Sequence, residues 1–125
     1  MVNQLWDGIT VKLSSVNTFT AQLNICFDAH FDLVTIHPFY DGNERTSRLL
    51  MNYLQLYFNL PLSSVFKEDK AAYFETLQLT RKEEDIIIFR KFMFSQYAKY
   101  LQQEIDKFEQ IDKGKTKGKG YSFVF

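Results

Sequence analysis

The sequence holds few residues that could cross-link the chain, bind a polyanion in bulk or span a bilayer. One cysteine, Cys26, leaves no partner for an internal disulfide, and its place in an apolar run reads as a reduced core residue of a cytoplasmic protein. Charge of one sign is missing too. Fifteen basic residues against fifteen acidic give zero formal net charge, which removes the attraction that a basic protein has for nucleic acid or an anionic bilayer. Neither nucleic acid nor membrane is therefore an expected partner. No stretch approaches the roughly 20 apolar residues of a membrane span. The opening MVNQLWDGIT lacks the charged-then-apolar layout of a signal peptide. With only two prolines, a disordered reading of the whole chain also fails.

The chain has 125 residues, the length of one domain; 46% are hydrophobic and 17% aromatic, enough to offset the entropy of ordering the chain. Val2, Leu5, Trp6, Ile9 and Leu13 recur at spacings of three and four, which predicts a helix. Ser14, Ser15, Val16 and Asn17 form a polar break, with Asn17 or Thr18 able to cap the next helix. That second helix carries Phe19, Leu23, Phe27, Phe31 and Val34 on one side with Ile25, Cys26 and Ala29 nearby. Apolar over most of its circumference, it belongs in the middle of a bundle.

Pro38 disfavours helical geometry at His37, so His37 to Asn43 reads as a loop in which Asp41-Gly42 supplies turn chemistry. A third helix runs from Glu44 through Leu49, Leu50, Tyr53, Leu54, Leu56 and Tyr57 until Asn59 and Pro61 stop it. Lys67 to Leu79 makes a shorter amphipathic helix, and Glu84 to about Phe108 a long one. The fold class is all-α: a helical domain over residues 1–111, then a basic Gly/Lys tail over 112–125 with the apolar tip Tyr121-Ser122-Phe123-Val124-Phe125. The tail's four Lys and one Asp leave residues 1–111 with 11 basic and 14 acidic groups, a net of −3. Its glycines do not have the spacing of a P-loop. A solvated end with a short strand or apolar latch at its tip is the plainer reading.

The chemistry concentrates in His37-Pro38-Phe39-Tyr40-Asp41-Gly42-Asn43-Glu44-Arg45-Thr46-Ser47-Arg48. Free N–H groups and the positive dipole end of the helix that starts near Glu44 suit an anion, and Gly42 lets backbone approach a phosphate. Arg45 and Arg48, three apart, can clamp phosphate oxygens through forked hydrogen bonds. Asp41 offers the hard oxygen that Mg²⁺ prefers, and His37 can take a proton from an attacking hydroxyl near neutral pH. The bland alternative is a local hydrogen-bonded turn of His37 and Asp41, with both arginines paired on a solvated face.

HPFYDGNERTSR resembles the signature of the Fic family: His-Pro-Phe, any residue, Asp or Glu, Gly-Asn, usually Gly, then Arg, two residues, Arg. Eleven of its twelve positions suit that pattern, and Ile36, His30 and the run Arg48-Leu49-Leu50-Met51-Asn52 suit the flanks. The resemblance implies a helical bundle with the signature loop between two central helices. It also implies an adenylyltransferase that moves AMP from Mg-ATP to a Ser, Thr or Tyr hydroxyl of another protein. ATP and Mg²⁺ are then the expected cofactors, and a target protein, and an antitoxin or other regulator, the expected partners. By position, His37 would be the general base, Asp41 the Mg²⁺ ligand, and Gly42 and Asn43 part of the anion hole. Glu44 stands within the same phosphate-binding run, and Arg45 and Arg48 would orient the β- and γ-phosphates. Tyr73 and Phe74 align with aromatic positions near the nucleobase, a spacing that fits a core stripe equally well.

Two features depart from the family pattern. Glu44 occupies the position usual for Gly; its charge should repel a triphosphate, and Arg48 four residues on is a favourable partner that it could occupy. Glu44 is thus expected either to brake nucleotide binding or to point to solvent. The upstream helix and β-hairpin flap usual in the family are not in the sequence, which suggests a fragment or degenerate copy. The near misses to the family's autoinhibitory pattern, at Ser64 to Asp69 and Thr80 to Asp85, end in Asp, so control by that device is not expected. Two alternatives stand beside adenylylation: Doc-like phosphotransfer with the nucleotide reversed, and a truncated or inactive module that binds nucleotide or a partner.

Overall fold

A computed structural model describes residues 2–13, 17–36 and 42–115. Within them run five α-helices and one 3₁₀ turn, with no strand: α1 (Val2–Leu13), α2 (Phe19–Ile36), α3 (Asn43–Tyr57), the 3₁₀ turn (Lys67–Asp69), α4 (Lys70–Glu83) and α5 (Ile86–Lys115). No helix among the described residues is long and apolar enough to cross a membrane. Of the expected polar break at Ser14 to Asn17, Ser14 to Val16 lie outside the described residues, as does the tail from Thr116 with its Tyr121–Phe125 tip.

The helix ends follow from local chemistry. Of the two candidate caps before α2, Thr18 is the one used: its hydroxyl accepts from the Ala21 N–H at 3.3 Å, and its carbonyl takes the Gln22 N–H at 2.9 Å. α3 ends in a Schellman arrangement. Asn59 adopts a left-handed φ of 59°, the Leu60 N–H reaches the Gln55 carbonyl at 2.8 Å, and the Asn59 N–H reaches Leu56 at 3.0 Å.

Two predicted boundaries move. The single helix expected from Lys67 to Leu79 is a 3₁₀ turn followed by α4, which continues to Glu83. It stops because Glu84 turns left-handed, with φ 51°. The long helix then begins at Ile86, where the Asp85 carboxylate accepts the Ile87 N–H at 3.1 Å, and it extends past Phe108 to Lys115, into the expected tail. Helix-favouring Gln, Glu and Lys with local pairs, Gln102 to Asp106 at 3.0 Å and Lys107 to Glu104 at 3.2 Å, carry it on.

As expected, α2 is central: it packs against α1, α3 and α5, while α4 lies on α5 and the 3₁₀ turn. Leu23, Cys26 and Phe27 are fully buried, and Phe27 meets Phe94 edge-on at 5.0 Å. Cys26 is a free thiol that burial pushes up to about 12, so it stays protonated. Asp28 of α2 accepts a fork from Arg90 of α5 at 2.8 and 2.5 Å, fixing the two helices in register. Buried Gln55 ties α3 to the following loop, donating to Ser63 Oγ at 3.1 Å and accepting the Ser63 N–H at 3.2 Å.

The outer helices bury less than their periodicity predicts. On α1 Ile9 alone is buried among the described side chains, and Val2 and Trp6 are exposed; on α3 Met51 and Leu54 turn inward, whereas Leu49, Tyr53, Leu56 and Tyr57 face out.

Glu84 is an exposed, non-glycine residue in left-handed geometry, a conformation that costs an L residue on the order of 1 kcal/mol. Glu84→Gly should therefore raise stability by about 0.5 to 1 kcal/mol. Urea denaturation would read this as a higher midpoint at unchanged slope; a lower midpoint would show that the side chain itself stabilises the corner.

Candidate functional site

Gly42 sets the start of α3. Its φ of 79° is left-handed, the region glycine enters freely, and its carbonyl accepts the Thr46 N–H at 3.0 Å to begin the helix. A Cβ there would meet nothing within 4 Å among the described residues, so glycine serves the backbone turn rather than side-chain space. No described side chain caps this helix end. His37, Phe39 and Asp41 lie outside the described residues, so the base and the metal ligand expected from the sequence have no geometry to report.

The described part of the signature turns one face inward. Ser47 is fully buried, with its hydroxyl donating to the Asn43 carbonyl at 2.8 Å. Glu44 and Arg48 are half-buried, and Arg45 is exposed. Arg45 and Arg48 make no hydrogen bond or ion pair among the described residues. The Arg48 charge is felt at His30 on α2 and at Tyr73 on α4, so this guanidinium stands over the junction of α2, α3 and α4.

Beneath that junction lies a buried polar pair. His30 Nε2 and the Tyr73 hydroxyl share a 2.6 Å hydrogen bond, and the His30 ring stacks on Phe89 at 5.8 Å between centroids. Burial first, then the Arg48 charge, pulls His30 down to about 4, against a smaller opposing pull from the Ser47 backbone. His30 is therefore neutral at pH 7. Tyr73 shifts the other way: burial, then the Glu44 carboxylate, pushes its phenol well up.

Tyr73 and Phe74 separate. Tyr73 falls on the inward stripe of α4 with Leu77 and Thr80, only 1% exposed and enclosed by His30, Phe89 and Phe92. Phe74, one residue on, is 45% exposed at the surface. Of the two readings of Tyr73, it takes the core position, because the 3.6-residue period leaves room for only one of two adjacent side chains to face inward.

Glu44 has a partner that neither expectation named. Its ion pair runs to Lys70 Nζ at 3.1 Å, across to the first residue of α4, and not to Arg48 on its own helix. Sequence reasoning missed Lys70. An i,i+4 rule finds partners only on one helix, and no spacing in the chain announces a pair 26 positions apart.

A cavity of about 510 Å³ opens elsewhere, between Trp6 and Ile9 of α1, Leu33 of α2 and Thr46, Leu49 and Leu50 of α3. Its walls are apolar apart from Thr46, which makes it unsuited to a triphosphate.

Residues 7–55 match the model of the Fic/DOC family. Over these residues, which span most of α1, all of α2 and most of α3, the chain is similar to Fic domains. It is similar to the protein adenylyltransferase Fic of Drosophila persimilis, 44% identical over 71 residues, which is 57% of this chain and 14% of that relative. The protein adenylyltransferases Fic of Drosophila grimshawi and Drosophila melanogaster are 46% identical over 65 residues, 52% of this chain and 13% of each relative. The chain thus matches about one seventh of the length of these relatives. Within the matched residues α3 begins after Gly42, and the all-α bundle around α2 is the expected fold.

The His30–Tyr73 pair makes a pH test possible. Unfolded, the imidazole titrates near 6.5; folded, near 4, so between these values the unfolded chain binds more protons and stability falls as pH drops. The loss should reach about 2 kcal/mol on going from pH 7 to pH 5. Urea titrations of wild type and His30→Gln at both pH values would measure it. Equal pH dependence in the two proteins would show that His30 is not held neutral.

Proposed function

We propose that this chain supplies the nucleotide-transfer segment of a Fic-type protein adenylyltransferase, moving AMP from Mg-ATP to a Ser, Thr or Tyr hydroxyl of a target protein. The observation that carries the reading is the start of α3. A left-handed Gly42 opens a helix with no side-chain cap, and Arg45 and Arg48 follow within two turns with no ion pair among the described residues. A positive dipole end and two guanidiniums with no ion pair among the described residues are what a polyphosphate needs. The Fic relatives, named as protein adenylyltransferases, favour the same chemistry.

In this reading Gly42 and Asn43 take part in the anion hole and Arg45 and Arg48 orient the β- and γ-phosphates. His37 removes the proton of the target hydroxyl. The hydroxyl oxygen forms a bond to the α-phosphorus, the bond from that phosphorus to the β-phosphate oxygen breaks, and pyrophosphate leaves with its charge met by the arginines. Asp41 would hold Mg²⁺, which when bound offsets phosphate charge. Phe74, being exposed, is the aromatic available to a nucleobase; Tyr73 holds the helix that presents it.

A second reading is a nucleotide- or partner-binding module without transfer activity. It is favoured by Glu44 in the place usual for Gly and by the exposed apolar side chains of α1 and α3. ATP labelled at either the α- or the γ-phosphate, incubated with the protein and a cell lysate, separates these readings. Adenylylation is expected to place the α-label, but not the γ-label, on protein, and His37→Ala should abolish it by at least 100-fold. Transfer of the γ-label would mean Doc-like phosphotransfer, and no transfer beside intact nucleotide binding would favour the binding module.

A further inference from the structure

The first turn of α3 is where a second negative charge harms polyphosphate binding most, yet Glu44 stands in it. The structure also shows what answers that charge. Lys70, the first residue of α4, places Nζ 3.1 Å from Glu44 Oε1. Both side chains are partly exposed, 47% for Lys70 and 30% for Glu44, so the pair is reached by solvent and ions. Tyr73, one turn along α4, also feels the Glu44 carboxylate, which places that group on the α4 side of the turn. Arg48 lies four residues after Glu44 on the same helix, the favourable order for a carboxylate and a cation, and yet makes no ion pair among the described residues.

We infer that Lys70 is a positioning residue for nucleotide binding: by holding Glu44 against α4, it keeps the carboxylate from repelling the phosphates and from occupying Arg48. The inference rests on the reading of the start of α3 as a phosphate cradle. It assigns the choice between a braked and an open cradle to a contact between two helices. With Lys70 in place, Glu44 is neutralised and Arg48 is left for phosphate. Without it, Glu44 has Arg48 as its next cationic neighbour on the helix, and both repulsion and competition act against the ligand. Because the pair is exposed, its effect is screened by salt.

A double-mutant cycle tests this, with a fluorescent Mg-ATP analogue as the probe and thermal melts to confirm that each variant folds. In about 50 mM salt, Lys70→Met should weaken binding about fivefold, the effect of about 1 kcal/mol. Lys70→Arg should retain wild-type affinity, and the Lys70→Met loss should shrink at high salt. In a Glu44→Gly background, Lys70→Met should change nothing, since no carboxylate remains to be held. Unchanged affinity in Lys70→Met overturns the inference, as does an equal loss in the Glu44→Gly background, which would mean that Lys70 acts on the ligand by another route. Arg48→Ala separates the underlying reading. If it binds the analogue as well as wild type, or if wild type does not bind at all, the cradle itself fails and the inference fails with it.

Discussion

Burying the imidazole of His30 in the middle of α2 removes a polar ring from water, a cost that must be met by hydrogen bonding inside the bundle. Tyr73 of α4 meets part of it at 2.6 Å, and Phe89 of α5 stacks on the ring. These two contacts join α4 and α5 to α2 at the level where α3 begins, alongside the Asp28–Arg90 fork between α2 and α5. Everything at the start of α3 inherits its neighbours from that arrangement: Ser47 over the ring, Arg48 above the junction, and Lys70, one turn before Tyr73, within reach of Glu44. The neutral state of His30 also keeps a positive charge from forming beneath Arg48.

The candidate site is accordingly assembled from two sources of different kinds. Gly42, the α3 terminus and the two arginines are local: a left-handed glycine, a helix dipole and a spacing of three. The Glu44–Lys70 pair is not local. Its existence depends on the first residue of α4 coming within reach of the start of α3, where Tyr73 and Phe89 bury α4 and α5 around His30. A charge that the sequence alone reads either as a brake or as pointing to solvent is thereby given a partner on another helix.

The same distinction governs the apolar faces. Periodicity correctly places α2 in the middle of the bundle, where Leu23, Cys26 and Phe27 are fully buried and only an edge with Asp32 and Thr35 is exposed among its polar side chains beyond the first turn. It is a poorer guide for α1 and α3, where Trp6, Leu49, Tyr53 and Leu56 repeat at helical spacing but face outward. Spacing identifies a face; only neighbouring helices decide whether it is covered. Ser47 and Gln55 show the converse, being polar residues buried because a carbonyl of the preceding turn and the Ser63 loop satisfy them.

From sequence alone came the all-α class, the central place of α2, the Thr18 and Asn59 ends, and the signature that places a glycine turn before α3. Each depends on interactions within a few residues, where period, cap chemistry and backbone freedom act directly. The tertiary structure decided which of Tyr73 and Phe74 is core, that His30 is buried and neutral, and that Glu44 faces Lys70. These join residues 26 to 43 positions apart, and no local preference encodes which helix will lie across another; packing of the whole core settles it.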